Sequence, residues 1–159
     1  MKFRKATLED IPEIDEVYVG GSIDEGKFQF PKVPKKEMVE DLAKHKEERI
    51  AEYKKDILSK YDYWVVAKEN IKVIGFGQAK LKDYKYDKGY AEIDKIYVKR
   101  KFRGKGVAKK IERELVKWLR KKRIGAVGVR IYHNNKPSIR FHKKAGYKLM
   151  AIRMERKLR

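Results

Sequence analysis

The sequence predicts a mixed α/β fold of the α+β kind, a central, mostly antiparallel sheet with helices on both faces. Three observations predict it. The first third of the 159 residues is dominated by apolar spacing of three and four. Between Tyr63 and Val98 lie three β-branched and aromatic runs separated only by short polar turns. After Val98, helical and strand patterns alternate once more. The expected order is β-α-α-β-β-β-α-β-α-β, in a single domain spanning residues 1–159.

Lys2–Ala6 reads as a short strand. Thr7 then offers a helix cap ahead of Leu8-Glu9-Asp10, and Ile11, Ile14, Val17 and Tyr18 continue at helical spacing until Gly20-Gly21 ends the helix. Ser22–Pro34 is expected as a loop, and Lys35–Lys60 as one long helix. Tyr63–Ala67, Val73–Leu81 and Tyr90–Val98 form a three-strand meander, with Gly75 and Gly77 thinning one face of the middle strand and a polar turn at Asp83–Gly89. A helix from about Gly106 to Lys122 buries Val107, Ala108, Ile111, Leu115, Trp118 and Leu119. A strand at Ala126–Tyr132, a short helix at about Lys136–Lys144 and a last strand at Tyr147–Lys157 complete the chain.

Charge narrows the partners. The net charge is +20, and Lys99–Arg123 alone holds thirteen Lys/Arg against two Glu. Such a surface attracts polyanions: phosphorylated ligands, acidic proteins or nucleic acid. The absence of cysteine excludes disulfides, thiol nucleophiles and Cys-ligated metals, and three scattered histidines argue against a histidine metal site, so no metal is expected. No secretory leader or membrane span is visible, and a cytoplasmic location is expected.

The segment Arg103-Gly104-Lys105-Gly106-Val107-Ala108 has the makings of a phosphate cradle. Glycines let the backbone approach closely, and the helix that follows presents free N–H groups and a positive dipole. It is not a P-loop, which needs Gly-x-x-x-x-Gly-Lys and then Ser or Thr. Nor is it a dinucleotide fingerprint, since Ala108 and Lys109 follow Gly106 and the preceding strands form a meander. The segment fits Arg/Gln-x-x-Gly-x-Gly/Ala, and with the strand Ala91–Val98 before it and Asn135–Tyr147 after it the chain resembles the GNAT superfamily of acetyl-CoA-dependent N-acetyltransferases.

The resemblance implies acetyl-CoA as cosubstrate and direct transfer of acetyl to a primary amine in a ternary complex. It implies that the backbone of Arg103, Gly104, Lys105, Gly106, Val107 and Ala108 holds the pyrophosphate, with added charge from Arg103 and Lys105. Ile96 and Val98 would pair with the pantetheine arm, which requires this strand to splay from Ala126–Tyr132. Asn135 would bond the cofactor or simply cap its helix. Val98 N–H is the expected oxyanion donor. Glu92 and Asp94, two apart on a strand and so on one face, are the expected bases, with ion pairing to Lys or Arg as the alternative. Where the family carries a tyrosine as leaving-group acid, seven residues after the asparagine, this chain has His142; Tyr132 is the reserve. Asp24, Glu25, Phe28 and Phe30 are candidates to line the amine site. The amine could belong to a protein N-terminus, a lysine or a small molecule, and the protein would be a monomer or homodimer. A coenzyme A sensor without catalysis and a basic nucleic-acid-binding module are the alternatives.

Overall fold

Five strands form one sheet in the order β1-β2-β3-β4-β5: β1 (Lys2–Lys5), β2 (Asp62–Glu69), β3 (Lys72–Tyr84), β4 (Asp87–Val98) and β5 (Ala126–Gly128). The structure is a computed structural model that describes residues 1–84, 87–156 and 158. The first four strands are antiparallel to their neighbours, and β5 runs parallel to β4. The expected turn at Asp83–Gly89 lies partly outside the described residues.

Two cores sit on opposite faces of this sheet. On one, α4 (Val107–Lys121) lays Val107, Ile111, Leu115 and Leu119 over Val65, Ala79, Ala91 and Ile93. These positions recur every three or four residues, which gives the helix one apolar stripe. The stripe can lie close because β3 carries Gly77 beneath it: a Cβ there would come within 2.5 Å of Ile111 Cγ2. On the other face, α1 (Ile11–Gln29) and α3 (Lys46–Leu58) pack Ile14, Val17, Tyr53 and Ile57 against Trp64, Val66 and Phe76. The helices-on-both-faces expectation therefore holds, while three element boundaries differ.

First, α1 does not stop at Gly20-Gly21 but continues to Gln29. Gly21 is there for packing: a Cβ at this position would overlap the Tyr97 ring, which lies against the helix at that point. Second, the single helix expected over Lys35–Lys60 is two, α2 (Lys35–Lys44) and α3, broken at His45. In a continuous helix Leu42 O would accept from Lys46 N–H; here it accepts from Arg49 Nη1 at 2.8 Å while Arg49 Nε holds Asp15 of α1 at 2.7 Å. The break lets one guanidinium tie α3 to α1. Third, the expected strand at Ala126–Tyr132 ends at Gly128, and no strand forms among residues 147–156, where Leu149, Met150, Ile152 and Met154 are exposed after α5 (Lys136–Lys144). Alternation makes a strand only where a ladder partner exists, and the three residues of β5 offer little edge to pair with.

The two adjacent glycines of α1 give a paired test. Gly20 is exposed with nothing near its Cβ position, so Gly20→Ala stabilises by roughly 0.5–1 kcal/mol through helix propensity. Gly21→Ala drives a methyl into Tyr97 and destabilises by about 1–3 kcal/mol despite the same propensity gain. Urea denaturation of the two variants checks this; equal shifts would show that Gly21 is not a packing residue.

Candidate functional site

The site begins where β4 loses a neighbour. It pairs with β5 only at Tyr90↔Ala126, Ala91↔Val127 and Glu92↔Gly128. From Ile93 to Val98 that side of β4 has no strand partner among the described residues, although β3 covers the other side to the end. Lys99 N–H donates to Ile74 O of β3 at 2.8 Å. Because backbone groups alternate sides along a strand, the N–H groups of Val98 and Ile96 face the open side. The expected splay between β4 and the segment after Gly128 is present.

A bulge interrupts β4. Lys95 opposes Gln78 and Ile93 opposes Ala79, which leaves Asp94 as the extra residue. The bulge resets the alternation, so that Ala91 and Ile93 before it, and Ile96 and Val98 after it, all join the α4-side core. The simple rule that would put Glu92 and Asp94 on one face does not carry across it. Glu92 Oε2 lies 3.2 Å from Lys82 Nζ. Asp94 Oδ2 lies 2.7 Å from Lys95 Nζ, which also donates to Gln78 Oε1 at 3.2 Å. Burial raises the Asp94 pKa, but the Lys95 bond and the charges of Lys80 and Lys82 outweigh it and leave it below the usual carboxylate value.

Beyond β4 a short 3-10 turn, Arg100–Phe102, buries Phe102 and leads into the glycine loop. Gly104 and Gly106 have φ of 75° and 77°, the left-handed region that strains any residue with a Cβ, and both face open space. Gly106 caps α4 without a side chain, and the first bonded N–H is that of Lys110, to Gly106 O at 3.1 Å. Among the described residues the N–H groups of Gly104 to Lys109 have no protein partner. Buried Val107 and half-buried Ala108 seat this turn on the sheet. Lys105 stays exposed, its ammonium 5.5 Å from the Phe102 ring.

Arg103 is placed differently from its expected role beside a phosphate. Its Nε donates to Val98 O at 2.9 Å and its Nη1 pairs with Asp24 Oδ2 at 2.7 Å. Arg100 Nη2 takes the other oxygen of Asp24 at 2.5 Å. Burial lifts the Asp24 pKa, but the bonds from Arg100 and Arg103 win and hold it below its ordinary value. Asp24 thus clamps the loop to α1, and Arg103 braces it.

The opposite lip comes from the segment after β5 and the start of α5. Asn135 Oδ1 accepts from Ser138 N–H at 3.2 Å, so Asn135 caps α5. Asn134 Nδ2 donates to Phe28 O at 3.1 Å, and its Oδ1 is buried with no partner among the described residues. Tyr97 OH donates to Glu25 Oε2 at 2.5 Å. Tyr132, 38% exposed, lies within the electrostatic reach of Glu25; burial and that charge raise its pKa, so the phenol keeps its proton at neutral pH. Phe30, half exposed, follows α1 directly.

His142 is buried, edge-on to the rings of Phe141 and Tyr147. Its Nδ1 lies 2.9 Å from Ser138 O, a pure acceptor, so Nδ1 carries the proton and the neutral ring has only a lone pair at Nε2. Tyr147 OH donates to Glu112 of α4 at 3.2 Å beside it. His142 is therefore a packing group of α5, within the electrostatic reach of Glu112 of α4. Sequence reading missed the Glu25–Tyr97 pair and the Asn134 bond because both join segments far apart in the chain; no local pattern signals them.

The acetyltransferase (GNAT) family model matches residues 30–147. The chain belongs to this family. Among curated proteins, none matches the sequence significantly. Solved GNAT-fold structures similar to it include the PaiA N-acetyltransferase from Thermoplasma acidophilum in complex with coenzyme A. That structure is 18% identical with a TM-score of 0.80 over 94% of this chain and 90% of the other. The aminoglycoside N-acetyltransferase AAC(6')-Iy in complex with CoA is 16% identical with a TM-score of 0.69 over 98% of each chain. A transcriptional regulator from Bacillus halodurans is 15% identical with a TM-score of 0.74 over 99% of each. At such identities the GNAT chain shares their fold. Among its described residues no helix is long and apolar enough to cross a membrane.

The histidine gives a pH prediction. Burial holds the His142 pKa below its ordinary 6.5, against the opposing Ser138 bond and Glu112 charge. The folded state prefers the neutral ring. Its contribution to stability is therefore complete above pH of about 6.5 and is lost as pH falls through the lower folded value. Urea midpoints measured from pH 7.5 to 5 should decline in acid, with a smaller decline in His142→Gln; identical profiles would show that the ring is not held neutral.

Proposed function

We propose that this GNAT protein transfers acetyl from acetyl-CoA to a primary amine by direct attack in a ternary complex. The observation that carries the reading is the open edge of β4 running into six consecutive unpartnered N–H groups. Coenzyme A needs a cradle for its pyrophosphate and a strand edge for its amide-bearing arm, and these residues fit both. The relatives that share the fold support it: two were solved with coenzyme A, and AAC(6')-Iy also with a bisubstrate analogue, CoA-S-monomethyl-acetylneamine.

The N–H groups of Gly104 to Ala108 and the α4 dipole bind the pyrophosphate. Lys105 adds charge, and Arg103 keeps the loop in shape through Asp24 and Val98 O. From there the arm runs back along β4 towards the bulge. It meets Val98 N–H first and Ile96 N–H next, so Ile96 N–H lies nearer the thioester and is the better-placed donor to the oxygen that gains negative charge. The thioester supplies an activated acetyl group, and the protein's part is to orient it, deprotonate the amine and protonate the departing thiolate.

The proton from the amine goes to a carboxylate beside the bulge, through water. Glu92, whose carboxylate lies further from its lysine (3.2 Å to Lys82) than that of Asp94 (2.7 Å to Lys95), takes this role. For the leaving group, Tyr132 is the donor. It follows β5 in the chain and lies within the electrostatic reach of Glu25, the partner of Tyr97 on β4, and its phenol is protonated.

Two experiments test this. Gly106→Asp puts a carboxylate against the pyrophosphate and should weaken acetyl-CoA binding at least about tenfold by calorimetry, while the fold, read by circular dichroism, persists; unchanged affinity would remove the loop from the site. With an accepted amine in hand, Glu92→Gln and Tyr132→Phe should each lower kcat by about 10²–10⁴, against a few-fold for His142→Gln. A large loss in His142→Gln with none in Tyr132→Phe would restore the histidine as the acid.

A further inference from the structure

The bases of α4 outnumber anything the acetyltransferase reading requires. Lys109, Lys110, Arg113, Lys117, Arg120 and Lys121 are all exposed. At 100° per residue they fall within an arc of about 120°, and from first to last they span about 18 Å. Among the described residues none of the six has an ion-pair partner. The two acids of the helix do not neutralise the stripe: Glu112 is buried and bonded to Tyr147, and Glu114 is half-buried at its flank.

Two ordinary explanations cover only the ends. Cations in the last turn complement the helix dipole, which accounts for Arg120 and Lys121 but makes Lys109 and Lys110, in the first turn, unfavourable. A phosphorylated ligand at the glycine loop would compensate Lys109 and Lys110. It does not reach further: Lys117 to Lys121 lie about 16–22 Å along the axis from Gly106, about two screening lengths at physiological salt. Lys117 has neither explanation, Arg113 lies about 10 Å along the axis from Gly106, beyond one screening length, and six like charges on one face repel each other.

The chemistry of the stripe selects a partner. A protein interface centres on apolar and aromatic side chains, and a helix that lies on a membrane inserts an apolar face. The apolar face of α4 is wholly used on the sheet, where Val107, Ile111, Leu115 and Leu119 are buried. What remains outward is charge alone, repeated at one-turn intervals. That fits a polymer recognised by its charged backbone without apolar contact. We propose that the outer face of α4 binds the phosphodiester backbone of nucleic acid, without sequence preference, independently of acetyl transfer.

Fluorescence anisotropy with labelled 20-base-pair DNA and RNA duplexes, from 50 to 300 mM KCl, tests it. Both duplexes should bind, whatever their sequence, with log Kd rising linearly in log salt. The triple variant Arg113→Glu/Lys117→Glu/Lys121→Glu should weaken binding at least about tenfold. It should also reduce the DNA salt slope by about 2.7, since each of the three phosphate pairings removed takes away about 0.9. Arg113→Gln/Lys117→Gln/Lys121→Gln removes the same three pairings and should lower the slope by about the same 2.7 while weakening binding less, which separates the removal of attraction from introduced repulsion. Both variants should keep wild-type acetyl-CoA affinity and melting temperature to within a few degrees. Absence of duplex binding at 50 mM salt, or binding unchanged in both variants, would overturn the proposal. So would saturable binding of polyglutamate or phosphatidylserine vesicles with none of either duplex.

Discussion

The organisation of this GNAT chain depends on β4 being laddered to β3 to its end on one side and having only three paired positions on the other. Unpaired backbone in a sheet is costly unless something else satisfies it. Here the cost is confined to a few residues, because β5 ends at Gly128 and the chain turns away. The same strand supplies the loop that begins α4, so the unpaired edge and the unpaired helix start are contiguous. One bulge at Asp94 keeps the arrangement compatible with a core, because it returns Ile96 and Val98 to the α4 side after the alternation has been used for Ala91 and Ile93.

The loop itself is held from the far face of the sheet. Asp24 near the end of α1 takes one oxygen to Arg100 and the other to Arg103, and Arg103 reaches on to Val98 O. These groups are partly exposed, so the ion pairs contribute little to global stability. Their effect is positional: two left-handed glycines have many accessible conformations, and the clamp selects the one in which the N–H groups point outward together. This works only because α1 continues past Gly20-Gly21, and it continues because Tyr97 of β4 fills the space that a Cβ at Gly21 would take. Tyr97 then bonds Glu25 one residue beyond Asp24. Helix, strand and loop are thus fixed by three adjacent contacts.

These contacts also explain what the sequence could and could not reveal. The meander, the α4 stripe and the glycine loop are encoded locally, in alternation, in three-and-four spacing and in a motif at fixed spacing, and all three are where they were expected. Gly20-Gly21 read as a terminator because a glycine pair usually ends a helix, and the reason it does not here is a tyrosine far along the chain. The helix break at His45 is likewise decided by Arg49 reaching back to Leu42 O and across to Asp15. Within the candidate site, the conformation of the glycine loop was legible because positive φ is written in glycines. The partners of Arg103 and His142 were not, because a side chain's partner is a property of the folded neighbourhood: Arg103 found Asp24, and His142 found Ser138 O.

Charge separates along the same axis. Helix α1 carries five acids and one lysine, while α4 on the opposite face carries six cations and two glutamates. A chain of net charge +20 should repel a protonated amine from a distance, yet the transfer proposed above needs an amine and a polyanion at one place. The division between the faces resolves this. In the proposed transfer the anionic cosubstrate would bind at the α4 end of the open edge. The amine would come from the α1 face, where Glu25 bonds Tyr97 and its charge reaches Tyr132. Opposite charges can therefore approach from opposite faces and meet only where β4 and the segment after β5 part, which is where the backbone has been left open to receive them.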